Sequence, residues 1–568
     1  MYRNEHPNPQ FQRDSFLCLN GVWEYGKGKI DTVGELKERI EVPFCPESKL
    51  SGIEDKSLIT DCVYSRTVEL TEEDLTRRLV LHFGAVDYIA DVYVNGKFAI
   101  RHTGGYTAFG VDIAPFAKAG ENRITVAVHD DIRESIPSGK QSKKDSSYGC
   151  FYTRSTGIWQ TVWLEKTPLK YVKSVKFYPQ PDFKTVKVEV ATEGCGEVVV
   201  NAFFNGNPVG SAAGTAEYRK TLTLNLSETH PWEIGIGNLY DVEITFGEDK
   251  VRSYFGLRTV SYGGRKFLLN GKSVFQRLVL DQGYYEGGIY TAKDVRQFSY
   301  DISLSQALGF NGARLHQKVF EQRYLYECDK AGYMVWGEFP SWGVKYDDLR
   351  SLGVVVSQWS EVVEQYFNHP SIVTWCPLNE VWEDLDNDKL IRDMRFVEAV
   401  YNVTKALDST RPCVDASGGY HGRFTDVFDF HNYHLSDKTV SFINDISEHD
   451  KLSMDKTYAP EKAQEDIVYD GKLPLNASEY GGISYANGET DSWGYHSFDS
   501  EEDFLSEYLK TTKAYLGCEK ISGFCYTQLY DVEQEQNGLY YFSRKNKFSD
   551  KILQKIAECN RIAAAIEK

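Results

Sequence analysis

From about residue 259 onward, short apolar strand-like runs alternate with longer helical runs, and this rhythm restricts the fold more than any other feature of the chain. "VFQRLVLDQ" precedes the helix-like "TAKDVRQFSYDISLSQALG", and "GARLHQK" precedes "EQRYLYECDKAG". "YMVWGEFP" precedes "VVVSQWSEVVEQYFN", and "SIVTWCPLNE" precedes "LIRDMRFVEAVYNVTKALD". "PCVDASGG", "VFDFHNYH", "LPLNASEYGG" and "ISGFCYTQLYD" complete a set of eight strand candidates, most of them separated by helices. Strands this apolar must be covered on both faces, so the pattern predicts a parallel (β/α)8 TIM barrel. An open doubly wound sheet shares the alternation, but no G-x-G-x-x-G or phosphate-binding loop accompanies it.

The preceding residues have a different period. Up to about residue 168 the chain offers short alternating runs such as "RLVLHFGAVDYIADVYVNG", "RITVAVHDD" and "GIWQTVWLE", separated by Gly, Asn and Asp turns. That spacing predicts an antiparallel β-sandwich. A second β-rich stretch, with "KTVKVEVATEG", "EVVVNAFFNG", "RKTLTLNL" and "LYDVEITFG", suits a smaller immunoglobulin-like sandwich. The chain has 568 residues, too many for one core. The expected division is a sandwich over 1–168, an immunoglobulin-like sandwich over 169–258 and a catalytic barrel over 259–568.

The formal charge of −18 argues against nucleic acid and anionic membrane surfaces as partners. No run of eighteen apolar residues marks a membrane span, and "MYRNEHPNPQFQRDSF" has no apolar secretion core. The 11 cysteines are scattered in apolar surroundings without paired ligand spacing, so they read as reduced thiols of a cytoplasmic protein. Aromatic residues make up 14% of the chain, which fits either a Tyr-rich β core or surfaces that pack on sugar rings.

Parallel barrels carry their reactive groups at the carboxyl ends of the strands. The strand ends here are Asp281, Arg314 with His316, Glu338, Asn379 with Glu380, His431 with Tyr433, Glu479, and Tyr526 with Gln528. Trp375 lies within its strand and reads either as core or as a ligand contact. Glu380 and Glu479 are carboxylates on separate strands that can face each other across the barrel mouth. Glycoside hydrolysis needs such a pair, one group to protonate the leaving oxygen and one to act on the opposite side of the anomeric carbon.

The order of motifs resembles glycoside hydrolase family 2, the family of β-galactosidases, β-glucuronidases and β-mannosidases, over nearly the whole chain. "LNGVWEY", "GAVDYIADVYVNG", "GGYTAFGVDIAPF" and "GIWQTVWLE" resemble its jelly-roll-like sugar-binding domain. "FGLRTV", "FLLNGKSV", "LGFNGARLHQ", "LYECDKAGYMVWGE" and "WCPLNE" resemble its barrel. The resemblance implies Glu380 as acid/base, protonated at rest, Asn379 as donor to the sugar 2-hydroxyl, and Glu479 as an ionised nucleophile held by Arg314 or Tyr433. Arg314 matches the family's arginine on the second strand. His316 comes one residue earlier than the family's His, Glu338 ends its strand in the family manner, and His431 reads either as a ligand contact or as a bonded structural residue.

Departures from the family pattern bear on the sugar. The lysine motif by which β-glucuronidases pair with the sugar carboxylate is replaced by Glu535 and Asn537 in "DVEQEQNGLYYF". A carboxylate there would repel a uronate. Phe151 stands where an Asp often reaches from the sandwich, and Asp281 is expected to replace that hydroxyl contact. No magnesium-binding spacing is visible, and no metal or cofactor is expected. The expected activity is therefore retaining exo-hydrolysis of a neutral β-galactoside-like sugar, α-L-arabinopyranosides included. β-Glucosidase or β-glucuronidase activity is the alternative. A carbohydrate-binding protein with an inactive barrel, transglycosylation on the same residues, and assembly as a homo-oligomer are further readings.

Overall fold

The computed structural model describes residues 3–131, 135–381, 393–418, 421–449, 469, 471–485 and 493–568. Residues 390–392 of the expected helix after "SIVTWCPLNE" lie outside these.

The N-terminal region folds as two antiparallel sheets. A six-stranded sheet runs Glu38–Val42, Gly21–Lys27, Asp61–Leu70, Gly120–His129, Ile89–Val94, Lys97–Thr103. A four-stranded sheet runs Leu17–Cys18, Val162–Thr167, Arg78–Phe83, Phe109–Asp112. The alternation seen in sequence sets their inner faces: Leu79, Leu81 and Phe83 from one sheet share a buried core with Ile124, Val126 and Val128 from the other.

The middle region is also antiparallel. Its organising strand, Thr185–Phe204, is 20 residues long and carries a register shift between Ala191 and Cys195. Before the shift it pairs with Tyr171–Pro179, and after it with Tyr240–Phe246. On its other edge it pairs with Asn207–Asn225, so one strand serves three partners around a separate Val-rich core.

The C-terminal region carries seven parallel strands, β1 (Gln276–Asp281), β2 (Gly312–Leu315), β3 (Met334–Glu338), β4 (Ile372–Cys376), β5 (Phe428–Asn432), β6 (Leu475–Gly481) and β7 (Ile521–Thr527). The helices are α1 (Arg296–Ala307), α2 (Gln322–Ala331), α3 (Leu349–Gln365), α4 (Met394–Leu407), α5 (Ser436–His449), α6 (Glu501–Gly517) and α7 (Asp550–Asn560). The sheet order is β4-β3-β2-β1-β7-β6-β5. The eighth expected strand, "PCVDAS", fills the gap between β4 and β5 but joins β4 only through parallel bridges at Trp375–Cys413 and Asn379–Ser417. Pro412 has no N–H to donate there, and Gly418 turns away at φ 117°.

Inside and outside follow strand alternation except in β4, where an irregularity at Val373, opposite β3, puts Val373 and Trp375 on opposite faces. Leu278, Leu280, Trp336, Val373, Cys376 and Cys525 fill the barrel interior, whereas Val279, Ala313, Val335, Trp375 and Tyr526 pack outward among the helices. All eleven cysteines are free, eight of them buried. No helix among the described residues is long and apolar enough to cross a membrane.

Candidate active site

Arg314 organises the barrel mouth. It projects inward from β2 and is fully buried, and its charge persists because both terminal nitrogens of the guanidinium meet acceptors. Nη1 donates to Glu479 Oε1 at 3.0 Å and to the Ser478 carbonyl at 2.8 Å. Nη2 donates to Glu338 Oε2 at 2.7 Å and Asn379 Oδ1 at 3.0 Å. One side chain thus ties together residues at the ends of β2, β3 and β6 and the turn after β4. Glu338 also accepts from the Gln317 N–H at 3.1 Å and lies 2.9 Å from His316 Nδ1. It braces Arg314 and His316, and its pKa is lowered: burial opposes its charge, but Arg314 and His316 outweigh it.

Glu479, at the end of β6, is buried and surrounded by donors. Tyr433 donates its hydroxyl to Oε2, while His431 Nε2 and His316 Nδ1 lie 3.4 and 3.9 Å from Oε1. Burial again favours the neutral acid, but His431, Arg314, His316 and the Tyr433 hydroxyl bring the carboxyl pKa down to about 2. Tyr433 is itself held by stacking on Tyr495, with ring centroids 3.7 Å apart.

Glu380 has a different setting. It follows β4 with φ at 48°, a left-handed conformation uncommon outside glycine, and its N–H is fixed to the Ser417 carbonyl at 2.9 Å. Its side chain keeps 16% of its surface, against 5% for Glu479. Its one close partner among the described residues is His431, whose Nδ1 lies 2.7 Å from Oε1. Burial works against a charged His431, but Glu479 and Glu380 outweigh it and raise its pKa. Ligating atoms of Glu380, His431 and Glu479 all lie within 4.8 Å of one another. Such a trio can gather round a small cation, but each group here already has protein partners.

Asn379 is buried with its carbonyl on Arg314, which leaves its amide N–H groups available to a ligand. Gln528 donates to Asn537 at 2.7 Å, and Asn537 donates to Glu535 at 3.0 Å. Phe151 packs its ring 5.6 Å from Trp342.

Three expected site residues turn away from the cluster, Tyr526 and Asp281 because of the strand period and Trp375 because the register slips at Val373 of β4. Trp375 and Tyr526 occupy outward positions. Trp375 donates to Asp408 at 2.8 Å and packs on Trp359 of α3, and Tyr526 packs on Tyr480 and on Tyr508 of α6. Asp281 shares the outer face of β1 with Val279. It accepts from Tyr324 of α2 at 2.9 Å, from the Gly283 N–H at 2.9 Å and from the Tyr530 hydroxyl, so it is not the free sugar-hydroxyl acceptor expected.

Other contributors were not foreseen. Asp429 precedes His431 by two residues and so shares its inward face, which alternation alone would have revealed. It accepts from Ser417 at 2.5 Å, and Ser417 in turn lies 3.0 Å from His431 Nε2. The sandwich also sends residues 138–153 into the barrel mouth, of which only Phe151 was expected from the sequence. Tyr152 donates to Glu535, Thr153 Oγ1 donates to Glu533 at 2.6 Å, and Gln534 donates to the Gly149 carbonyl at 2.6 Å. Gly139 anchors this excursion through its N–H to the Trp342 carbonyl at 3.1 Å. Its φ is 58°, and a Cβ would lie 2.2 Å from the Gln317 carbonyl oxygen. Gly139→Ala is expected to cost about 1–3 kcal/mol in chemical denaturation, and an unchanged midpoint would show that the loop accommodates a side chain.

Comparison with known proteins agrees with this architecture. Residues 53–168 match the model for "Glycosyl hydrolases family 2, sugar binding domain", and residues 263–489 that for "Glycosyl hydrolases family 2, TIM barrel domain". A "Putative beta-glucuronidase" of Formosa agariphila is 26% identical over 377 residues, 61% of this chain but only 43% of that protein. A "Beta-galactosidase" of Thermoanaerobacterium thermosulfurigenes is 23% identical over 534 residues, 87% of this chain and 67% of that protein. The solved "Lactobacillus rhamnosus Beta-glucuronidase" superposes with a TM-score of 0.79 at 19% identity, covering 98% of this chain and 99% of that one.

Proposed function

The chain belongs to glycoside hydrolase family 2, and from that premise we propose that it is a retaining exo-β-glycosidase working by double displacement. The single observation that supports this most is the closeness of Glu380 and Glu479, with carboxylate oxygens within 4.8 Å of each other. Retention requires carboxyl groups about 5–5.5 Å apart, whereas inversion needs roughly 6.5–9.5 Å to admit a water between them and the sugar.

In this reading Glu479 is the nucleophile. Its low pKa keeps it ionised at working pH, and Arg314 and Tyr433 aim it at the anomeric carbon. Glu380, the more open carboxyl, protonates the departing glycosidic oxygen and later takes a proton from water. His431 touches both carboxyl groups and can follow the change of charge as the proton moves. Asn379 presents its amide to the sugar 2-hydroxyl. The units are a sugar-binding sandwich over 1–168, an immunoglobulin-like sandwich over 169–258 and the catalytic barrel over 259–568.

The sugar needs a revised order of preference. The expectation of a neutral galactoside-like sugar rested on Glu535 and Asn537 replacing a lysine. Relatives named β-glucuronidase weigh the other way, and the structure has a buried lysine, Lys140, 3.9 Å from Glu535. A β-uronide is therefore the first reading. A β-galactoside or α-L-arabinopyranoside is the second, favoured by the Glu535 carboxylate itself.

Glu380→Gln tests the mechanism. Hydrolysis of alkyl glycosides is expected to fall by roughly 10²–10⁴-fold, with a far smaller loss on dinitrophenyl glycosides, whose leaving groups need no proton. Equal losses on both would count against an acid at this position. A panel of nitrophenyl β-glycosides separates hydrolase from binding protein, since measurable sugar binding without turnover of any of them would favour the latter.

A further inference from the structure

Lys140 is the cation of the barrel mouth that the mechanism above does not use. It follows Gly139 in the loop that the sandwich pushes against Trp342, and only 6% of it is exposed. Its stem passes among aromatic faces, and Nζ lies 5.6 Å from the Trp342 ring centroid and 5.7 Å from that of Tyr152. Trp342 also packs on Phe151 and on His316, whose Nδ1 lies 3.9 Å from the Glu479 carboxylate. The ammonium is therefore within the pocket wall that meets the two reacting carboxyl groups.

Its hydrogen-bonding capacity is open. The nearest carboxylate oxygen, Oε2 of Glu535 at 3.9 Å, is beyond hydrogen-bond reach and already accepts the Tyr152 hydroxyl. The other Glu535 oxygen accepts from Asn537. Among the described residues Nζ makes no hydrogen bond, so a nearly buried ammonium, with only the longer ion pair to Glu535, keeps its three donors unused. Burial opposes its charge, but Glu535, with Cys150, Glu479 and Glu380 behind it, raises the Lys140 pKa and keeps it an ammonium. A buried cation with unused donors is best matched by a compact anion with several lone pairs.

We infer that Lys140 is the specificity-determining residue of the sugar site and that it recognises a carboxylate carried by the sugar, so that the substrate class is a β-linked uronide. The inference rests on the glycosidase reading but is tested separately from it. A neutral sugar offers this ammonium hydroxyl oxygens only, whereas a uronate offers two charged acceptors at once and neutralises it. The sandwich would then choose the sugar while the barrel cleaves the bond.

The test compares kcat/KM on nitrophenyl β-D-glucuronide and β-D-galacturonide with that on the matching glucoside and galactoside. Lys140→Met is expected to lower the acidic-to-neutral ratio by roughly 100-fold, and Lys140→Arg to restore most of it. An unchanged ratio in a variant that melts with the parent would overturn the inference, because a structural role would depress all four substrates alike. Wild-type protein supplies the second arm, calorimetric binding of free glucuronic and galacturonic acids against glucose and galactose. The acids are expected to bind at least about tenfold more tightly, and equal or weaker binding overturns the inference even if no variant folds. Tighter binding of acids without turnover of any glycoside would sink the hydrolase reading and leave Lys140 in its role. Turnover and binding of neutral sugars alone would do the reverse.

Discussion

Glu479→Ala is expected to lose turnover by a factor on the order of 10⁵, the scale seen when a covalent nucleophile is removed. The loss should fall on kcat as well as kcat/KM, because the role proposed for Glu479 is in bond making and not only in binding. The substitution opens a small space lined by Arg314 and Tyr433, both of which contact the carboxylate in the parent. Azide is small enough to enter that space and carries the charge those donors await. Added azide should therefore restore part of the activity and yield a glycosyl azide of the opposite anomeric configuration. A variant retaining activity within a few fold of the parent would remove Glu479 from its assigned role.

Arg314→Met is the second large effect, and here the expected loss is in stability as well as rate. The guanidinium serves Glu338 and Glu479 at once, both deep in the barrel. Its removal leaves Glu338 without its main counter-charge and Glu479 with His431 and His316 alone, and breaking a buried pair in this way costs about 3–5 kcal/mol. The sign of the pH dependence follows from the folded-state pKa values. Glu479 is lowered from 4.5 to about 2, and Glu338 is also lowered. Each therefore contributes stability that is present above the unfolded value and lost as pH falls through the folded one. Without Arg314 both folded values rise, so this acid-side contribution shrinks. The acid limb of the pH–rate profile should also move toward neutrality, because the nucleophile is protonated earlier. Denaturant titrations at several pH values, with matching rate profiles, read both effects. A variant as stable as the parent, with an unmoved acid limb, would show that His431 and His316 suffice to hold the site.

The sequence made the barrel legible because its strands are apolar throughout and its helices are long. It made Glu380 and Glu479 legible because both close apolar strands within motifs that keep the family's order; a strand-end position alone was not enough, since Asp281 and Glu338 also end strands and serve as braces. The rest was less readable for identifiable reasons. Trp375, Tyr526 and Asp281 were drawn into the site by their nearness to strand ends; the alternation of faces turns Tyr526 and Asp281 outward, and the register shift between β3 and β4 does so for Trp375. "PCVDAS" was read as a strand but makes only two bridges to its neighbour. Phe151 marked "CFYTRS" as part of the site, but the contact of Tyr152 with Glu535 was not legible, and nothing local in "IPSGKQ" singles out Lys140, because the partners lie hundreds of residues away.

That separation has a consequence for the birth of the protein. Tyr152 and its acceptor Glu535 are 383 residues apart, and the neighbouring Thr153–Glu533 contact spans 380. Domains emerging from the ribosome fold in order from the N-terminus. The sandwich must therefore wait, with Tyr152 and Thr153 lacking their carboxylate acceptors, through the synthesis of the middle unit and nearly all of the barrel. A growing chain can hold complete sheets and most of its helices and still lack a finished pocket. Activity should appear late and abruptly during translation, after the segment bearing Glu533–Asn537 has cleared the exit tunnel.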